Sequence, residues 1–178
     1  MRKNRSDGDI LRSKEASGQE AAPLLKNPLS ENEGQVSFRS MEPADTDVAA
    51  ALEAAFLREA WSQEAYADAL ANENACYLVA ECGGRIVGCC GLWQSFSDAD
   101  ICNVVVDAGY RRQGIAEGML KALMEAGRQR GVACFTLEVR RSNTAAVRLY
   151  EKLGFVTEGV RKRFYQNPPE DALIMWKR

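Results

Sequence analysis

The sequence contains no histidine among its 178 residues. Imidazole is therefore unavailable as a general base or metal ligand, and Ser-His-Asp and Cys-His hydrolase chemistry is excluded. Acid–base work falls to carboxylate, tyrosine, cysteine, lysine or water. There are six cysteines but no C-x-x-C pair, so neither a zinc ribbon nor a thioredoxin motif is indicated. All six lie in or beside apolar strand-like runs and read as buried, reduced thiols of a cytoplasmic protein. No run of 18 apolar residues is present, and the charged N-terminus lacks the apolar stretch of a secretory signal. A net charge of -2 gives no global basic field for nucleic acid. Neither a nucleic acid nor a membrane is expected as partner.

What is present suits one ordinary domain, with 46% hydrophobic and 27% charged residues. Residues 1–35 differ: mixed charge, Ser, Asn, Gly and Pro, and few large aliphatics. Such a segment buries too little surface to offset its chain entropy and is expected to be a disordered tail before a domain over 36–178.

Within that domain, alternation predicts a strand over 36–41. Asp45 or Asp47 is placed to cap a helix over 48–57, and Ser62 a second helix reaching Ala71. Strands follow over 76–82 and 85–93, joined by Gly83-Gly84, a two-residue turn of the kind that takes positive φ. A third strand is expected over 101–106. Ile115, Met119, Leu120, Leu123 and Met124 then share one face of a helix, with Glu117, Lys121, Glu125 and Arg128 on the other. A strand over 134–140, a short helix capped by Ser142 or Asn143, and a closing hairpin around Asn167-Pro168-Pro169 complete the chain. The order β-α-α-β-β-β-α-β-α-β-β implies a mixed sheet with helices on both faces. The strands over 101–106 and 134–140 should run parallel, because a helix joins them.

The stretch 101–127 carries the strongest chemical signal. The strand residues Val104, Val105 and Val106 run into a small-residue turn, and Arg111-Arg112-Gln113-Gly114-Ile115-Ala116 opens the long helix. The first turn of a helix leaves backbone N–H groups unpaired and carries about half a positive charge. Gly114 and Ala116 allow close approach of an anion. G-x-G-x-x-G and a Walker lysine are both absent, which disfavours a dinucleotide or nucleoside triphosphate.

Arg111-x-x-Gly114-x-Ala116, in this element order, resembles the pyrophosphate loop of the GNAT superfamily of N-acetyltransferases. Leu137-Glu138-Val139-Arg140-Arg141-Ser142-Asn143 and Leu149-Tyr150-Glu151-Lys152-Leu153-Gly154-Phe155 resemble the RimI-type, ribosomal-protein alanine branch of that superfamily, as do Trp61-Ser62 and the segment from Tyr165 to Glu170-Asp171-Ala172. The sequence departs from the branch at Ala60, where proline is frequent, and at Glu117, where a basic residue is common. The resemblance implies an α/β (α+β) fold with a mixed, mostly antiparallel sheet, splayed at a central parallel strand pair, with acetyl-CoA between the parted strands. It implies Val104, Val105, Val106, Arg111, Arg112, Gln113, Gly114, Ile115, Ala116, Glu117 and Asn143 as the coenzyme-binding set, with no metal. It implies Tyr150 as acid for the leaving thiolate, and Trp61 and Tyr165 as walls of the acceptor groove.

Glu138 is the expected base. Its parity opposes that of Leu137 and Val139, and an acid inside a parallel strand is unusual. The competing reading is a salt-bridged structural glutamate; for Tyr150, Trp61 and Tyr165 it is core packing, and for Asn143 a plain helix cap. The resemblance implies a protein N-terminus as acceptor, by analogy the alanine of a small-subunit ribosomal protein. An α-amine, with a pKa of about 7.7–8.0, costs only ~1 kcal/mol to neutralise at pH 7, against ~4.6 kcal/mol for a lysine. Acetylation of a small amine or a lysine, and a non-catalytic acyl-CoA-binding module, are the alternatives.

Overall fold

The structure, a computed structural model, describes residues 34–57 and 60–178. Residues 1–33 of the expected tail lie outside the described residues. The chain forms β1 (Val36–Ser40), α1 (Thr46–Phe56), α2 (Gln63–Leu70), β2 (Ala75–Cys82), β3 (Arg85–Ser95), β4 (Asp98–Val106), α3 (Ile115–Gln129), β5 (Cys134–Arg140), α4 (Thr144–Lys152), β6 (Val156–Gln166) and β7 (Pro169–Lys177). This is the element order the sequence predicts.

The strands form one sheet in the order β1-β2-β3-β4-β5-β7-β6, antiparallel except for β4 and β5. That parallel pair is short. Asp98, Asp100 and the residue between them pair with Cys134 to Thr136, and there the ladder ends. Beyond it β4 keeps β3 alone, through Cys90–Val104, Cys89–Val105 and Gly88–Val106, while β5 continues along β7. The two strands therefore part in the middle of the sheet.

Alternation along β5 drives one face inward: Phe135, Leu137 and Val139 are buried, and the residues between them are half-buried. α3 and α4 cover that face. The predicted stripe Ile115, Met119, Leu120, Leu123 and Met124 is buried with Leu137, Val139 and Tyr150 in one core. Each such side chain contributes about 1.5–3 kcal/mol on burial. On the opposite face α1 and α2 pack Ala49, Leu52, Tyr66 and Ala69 against Tyr77, Val79, Cys89 and Val105.

Four expectations are corrected. Asp45 makes no side-chain cap for α1; its carboxylate receives the Arg39 guanidinium at 2.6 and 3.0 Å and the Glu42 N–H at 2.8 Å. α1 ends at Phe56, with Leu57 extended (φ −114°, ψ 138°). β4 begins three residues early, because exposed Asp98 and Asp100 alternate with buried Ala99 and Ile101 and continue the pattern through two acids. The cysteines are thiols, but only Cys89 and Cys90 are buried. Cys102 is exposed where the β3–β4 register slips: Gly91 faces Asn103 and Leu92 faces Ile101, so Cys102 bulges out of the ladder. Among the described residues no helix is long and apolar enough to cross a membrane.

Gly91 is fixed by contact: a Cβ there would lie 2.1 Å from Cε1 of buried Tyr77. Gly91→Ala is expected to lower unfolding free energy by about 2–3 kcal/mol in urea titrations, the upper range for overpacking. A loss under ~0.5 kcal/mol would show that Tyr77 has room to move.

Candidate active site

A cleft of about 500 Å³ opens where β4 leaves β5. Val104, Val105 and Val106 form its floor, and Arg111, Arg112, Gly114, Ile115, Ala116 and Glu117 its phosphate-sized end. Asn143, Ala145, Ala146, Leu149 and Tyr150 line the α4 side, and Phe56 and Leu57 close it from the end of α1.

The turn before α3 is built from local bonds. Asp107 accepts from the Gly109 N–H at 2.8 Å through Oδ1. Gly114 starts the helix in the left-handed region (φ 81°), with open space where a Cβ would stand. The first intrahelical bond runs from the Gly118 N–H to the Gly114 carbonyl at 2.9 Å. The N–H groups of the first turn therefore have no helical acceptor. Arg111 braces this turn: its Nε donates to the Val106 carbonyl at 2.9 Å, and its guanidinium lies 4.4 Å over the Phe56 ring. Gln113 does not line the cleft; its Nε2 turns back to the Gly109 carbonyl at 3.3 Å.

Glu117 sits on the cleft rim but not as a bare negative charge. Lys121 reaches Oε1 at 2.8 Å and Lys152 reaches Oε2 at 2.6 Å. Hydrogen bonds from these two ammonium groups pull the carboxyl from its ordinary 4.5 to about 2. The rim thus carries two cations to one anion. A carboxylate beside a phosphate site is repulsive alone; here it gathers positive charge there.

The two expected catalytic side chains stand on opposite faces of the sheet. Tyr150 belongs to the α3–α4 core and lines the cleft, 5.9 Å centroid to centroid from Phe155. Burial first, then the neighbouring Tyr165 phenol, raises its hydroxyl well above the usual phenol range. It stays protonated at neutral pH. Glu138 points away from Leu137 and Val139, two positions beyond the last parallel pairing. Its Oε1 forms an ion pair with Nη1 of Arg161 at 2.9 Å. The salt-bridge reading of Glu138 is therefore present in the fold, on the half-exposed face.

Of the two expected groove residues, Tyr165 donates its hydroxyl to the Glu138 carbonyl at 3.4 Å, and the Arg140 guanidinium lies 3.9 Å from its ring centroid. It stands next to Glu138. Trp61 packs on Tyr66 and Tyr77 at 5.6 and 6.0 Å, on the α1–α2 face. Asn143 caps α4, its Oδ1 accepting from the Ala146 N–H at 3.2 Å.

Two residues were missed. Arg161 gave no signal in a basic, alternating strand. Glu53 is fully buried; its Oε1 accepts from Asn103 Nδ2 at 2.7 Å and its Oε2 from the Trp61 N–H at 2.8 Å. The signal was available: Glu53 shares the helical face of Ala49, Leu52 and Phe56, where an apolar residue belongs.

A sheet split at one parallel pair, with a helix N-terminus aimed into the split, defines an acyl-coenzyme A-dependent transferase of the GNAT architecture. The model of the acetyltransferase (GNAT) family matches residues 46–155, and the chain belongs to that family: it is an acetyl-CoA-dependent N-acetyltransferase. It is 36% identical over 143 residues to the putative ribosomal protein bS18-alanine N-acetyltransferase of Bacillus subtilis, covering 80% of this chain and 95% of that protein. It is 34% identical over 143 residues to the ribosomal protein bS18-alanine N-acetyltransferase of Escherichia coli, covering 78% and 95%. The crystal structure of the Escherichia coli ribosomal-protein-alanine N-acetyltransferase superposes with a TM-score of 0.74 at 31% identity, covering 80% of this chain and 92% of that one.

The Glu117 cluster has a pH signature. Its carboxyl is depressed, so the pairing is complete above the ordinary carboxyl range and is lost as pH falls through about 2. Carbon NMR should place the Glu117 midpoint near 2 in the wild type. Removing both partners, by Lys121→Ala with Lys152→Ala, should return it toward its ordinary 4.5. Identical midpoints in the two proteins would contradict the cluster.

Proposed function

We propose that the enzyme acetylates the α-amine of a protein N-terminus, an alanine of a small-subunit ribosomal protein, in the cytoplasm, with residues 36–178 as the catalytic domain. Both similar proteins bear names stating that chemistry. The observation that supports the mechanism is that Tyr150 lines the cleft while Glu138 lies two positions beyond the last β4–β5 pairing, on the opposite face of β5.

The cleft fits a pyrophosphate-linked thioester. Gly114 leaves open space above the unpaired first-turn N–H groups, and the long arm of the cleft is apolar. Acetyl-CoA, when bound, supplies the activated acetyl group. The first-turn N–H groups of α3, with Arg112 and the lysines held by Glu117, take the phosphates. Arg111 fixes the loop against Phe56. The backbone of Val104, Val105 and Val106, paired with β3 alone among the strands and with its Val106 carbonyl taken by Arg111, holds the pantetheine arm as an added strand and polarises the acetyl carbonyl. Asn143 uses its Oδ1 for the cap and donates its amide toward the coenzyme.

Glu138 takes the proton of the incoming ammonium, directly or through water. Its Arg161 partner is half-exposed, and pairs of that kind contribute about 0–1 kcal/mol, so an arriving ammonium can replace it. Tyr150, kept protonated by burial, gives a proton to the leaving thiolate from the coenzyme side. Trp61, on the α1–α2 face, and Tyr165, bonded to the Glu138 carbonyl, border the acceptor's approach. A low-cost α-amine suits a carboxylate base better than lysine does.

Glu138→Gln and Tyr150→Phe should each lower kcat about 10²–10⁴-fold on peptides beginning with alanine. Calorimetry should find acetyl-CoA affinity within about threefold of wild type, a difference under 1 kcal/mol. Wild-type turnover in both variants would overturn the roles. An N-terminal acetylome unchanged by deletion of the protein would overturn the substrate.

A further inference from the structure

The buried carboxylate of Glu53 has no part in the mechanism above, yet it bonds two elements that do. Its Oε1 takes the Asn103 amide at 2.7 Å, and Asn103 directly precedes the cleft-floor residues of β4. Its Oε2 takes the backbone N–H of Trp61 at 2.8 Å, on the loop between α1 and α2. One turn further along α1, Phe56 and Leu57 close the cleft, and Phe56 carries Arg111.

The orientation of this network is set from the far end. Trp93 Nε1 can only donate, and it donates to the Tyr77 hydroxyl at 3.2 Å. The Tyr77 O–H then donates to Asn103 Oδ1 at 3.3 Å, with the Cys102 sulfur 3.2 Å away. Asn103 is thereby turned with its NH₂ toward Glu53. Both oxygens of Glu53 face N–H donors, and a carboxylate is the side chain that accepts at both.

We infer that Glu53 is a positioning residue that locks the Trp61 loop, the acceptor-side wall, to the point where β4 enters the coenzyme cleft. The inference rests on the reading of Trp61 as bordering the acceptor. Glu53 touches neither the reacting atoms nor the coenzyme phosphates. It sets the distance between the strand that holds the acetyl group and the loop past which the amine arrives.

The network predicts a rescue. Glu53→Gln places an amide N–H against one of the two donors. Asn103→Asp alone sets two carboxylates face to face. The double variant Glu53→Gln with Asn103→Asp restores every bond. The new amide on α1 donates to the new carboxylate on β4 and accepts from the Trp61 N–H, and that carboxylate accepts from Tyr77. Net charge equals that of the wild type.

Steady-state kinetics on an alanine-starting peptide should show the peptide KM raised about tenfold in Glu53→Gln, the equivalent of one buried hydrogen bond. Acetyl-CoA affinity should stay within about twofold, and the double variant should return to near wild type. A merely structural Glu53 would lower thermal stability in the single variants and leave the peptide KM alone; that result, or failure of the double variant to recover, overturns the inference. Hydrogen exchange at the Trp61 amide separates this from the substrate assignment. If the wild type ignores alanine peptides, the proposed acceptor is wrong, while loss of Trp61 protection in Glu53→Gln and its return in the double variant still support the lock. Unchanged Trp61 protection across the variants overturns it.

Discussion

The short pairing of β4 with β5 is the constraint on which the rest depends. The parallel ladder covers three positions and stops at Asp100 and Thr136. A strand inside a sheet normally satisfies its backbone on both edges. From Val104 to Val106, β4 pairs with β3 on one edge and faces the cleft with the other, and Arg111 takes the Val106 carbonyl. Leaving buried donors and acceptors without partners costs about 1–3 kcal/mol each, so the open edge favours a ligand that pairs like a strand. The opening also joins the two faces of the sheet: Tyr150 belongs to the α3–α4 core and Glu138 faces the other way.

Keeping two strands apart requires holding each from elsewhere. β5 is held by β7 along its whole length, from Phe135 with Lys177 to Arg140 with Ala172. β4 is held by β3, by the bulge at Cys102, and by the bonds of Asn103 to Glu53 and Tyr77. The loop after β4 is held in turn by Arg111, which joins the Val106 carbonyl to the Phe56 ring. α1 therefore does two jobs through residues three apart. Glu53 fixes the strand and Phe56 fixes the turn before α3.

How far the sequence could be read depends on the reach of each interaction. The α3 stripe, the Gly83-Gly84 turn and the glycine at the head of α3 are decided by neighbours a few residues away, and all are as expected. Every residue expected at the coenzyme except Gln113 lines the cleft, because one strand, one turn, the head of α3 and the cap of α4 carry them. What was not legible is long-range. Glu53 meets Asn103 from 50 positions away, and nothing local says which donors a buried acid in α1 will find. Glu138 was legible as an anomaly, but its Arg161 partner was not. Asp45 had the composition of a cap, yet a guanidinium from β1 outweighs a helix N–H for a carboxylate. Glu117 stood out as a departure from a commonly basic position because Lys152, on another helix, was not visible beside it.

The absence of histidine fits this division of the site. A base buried beside the coenzyme would need a pKa tuned near neutrality, the usual task of imidazole. In the proposed mechanism the proton is taken on the half-exposed face, by Glu138 beside its guanidinium partner. An α-amine needs only ~1 kcal/mol of help to be neutral at pH 7, within the reach of a carboxylate and water. In that mechanism the proton returned to the thiolate comes from the opposite face, from the Tyr150 phenol that burial keeps protonated at neutral pH until the transfer. On this proposal the two proton transfers are shared between Glu138 and Tyr150 on separate faces, so no single group has to act as both base and acid.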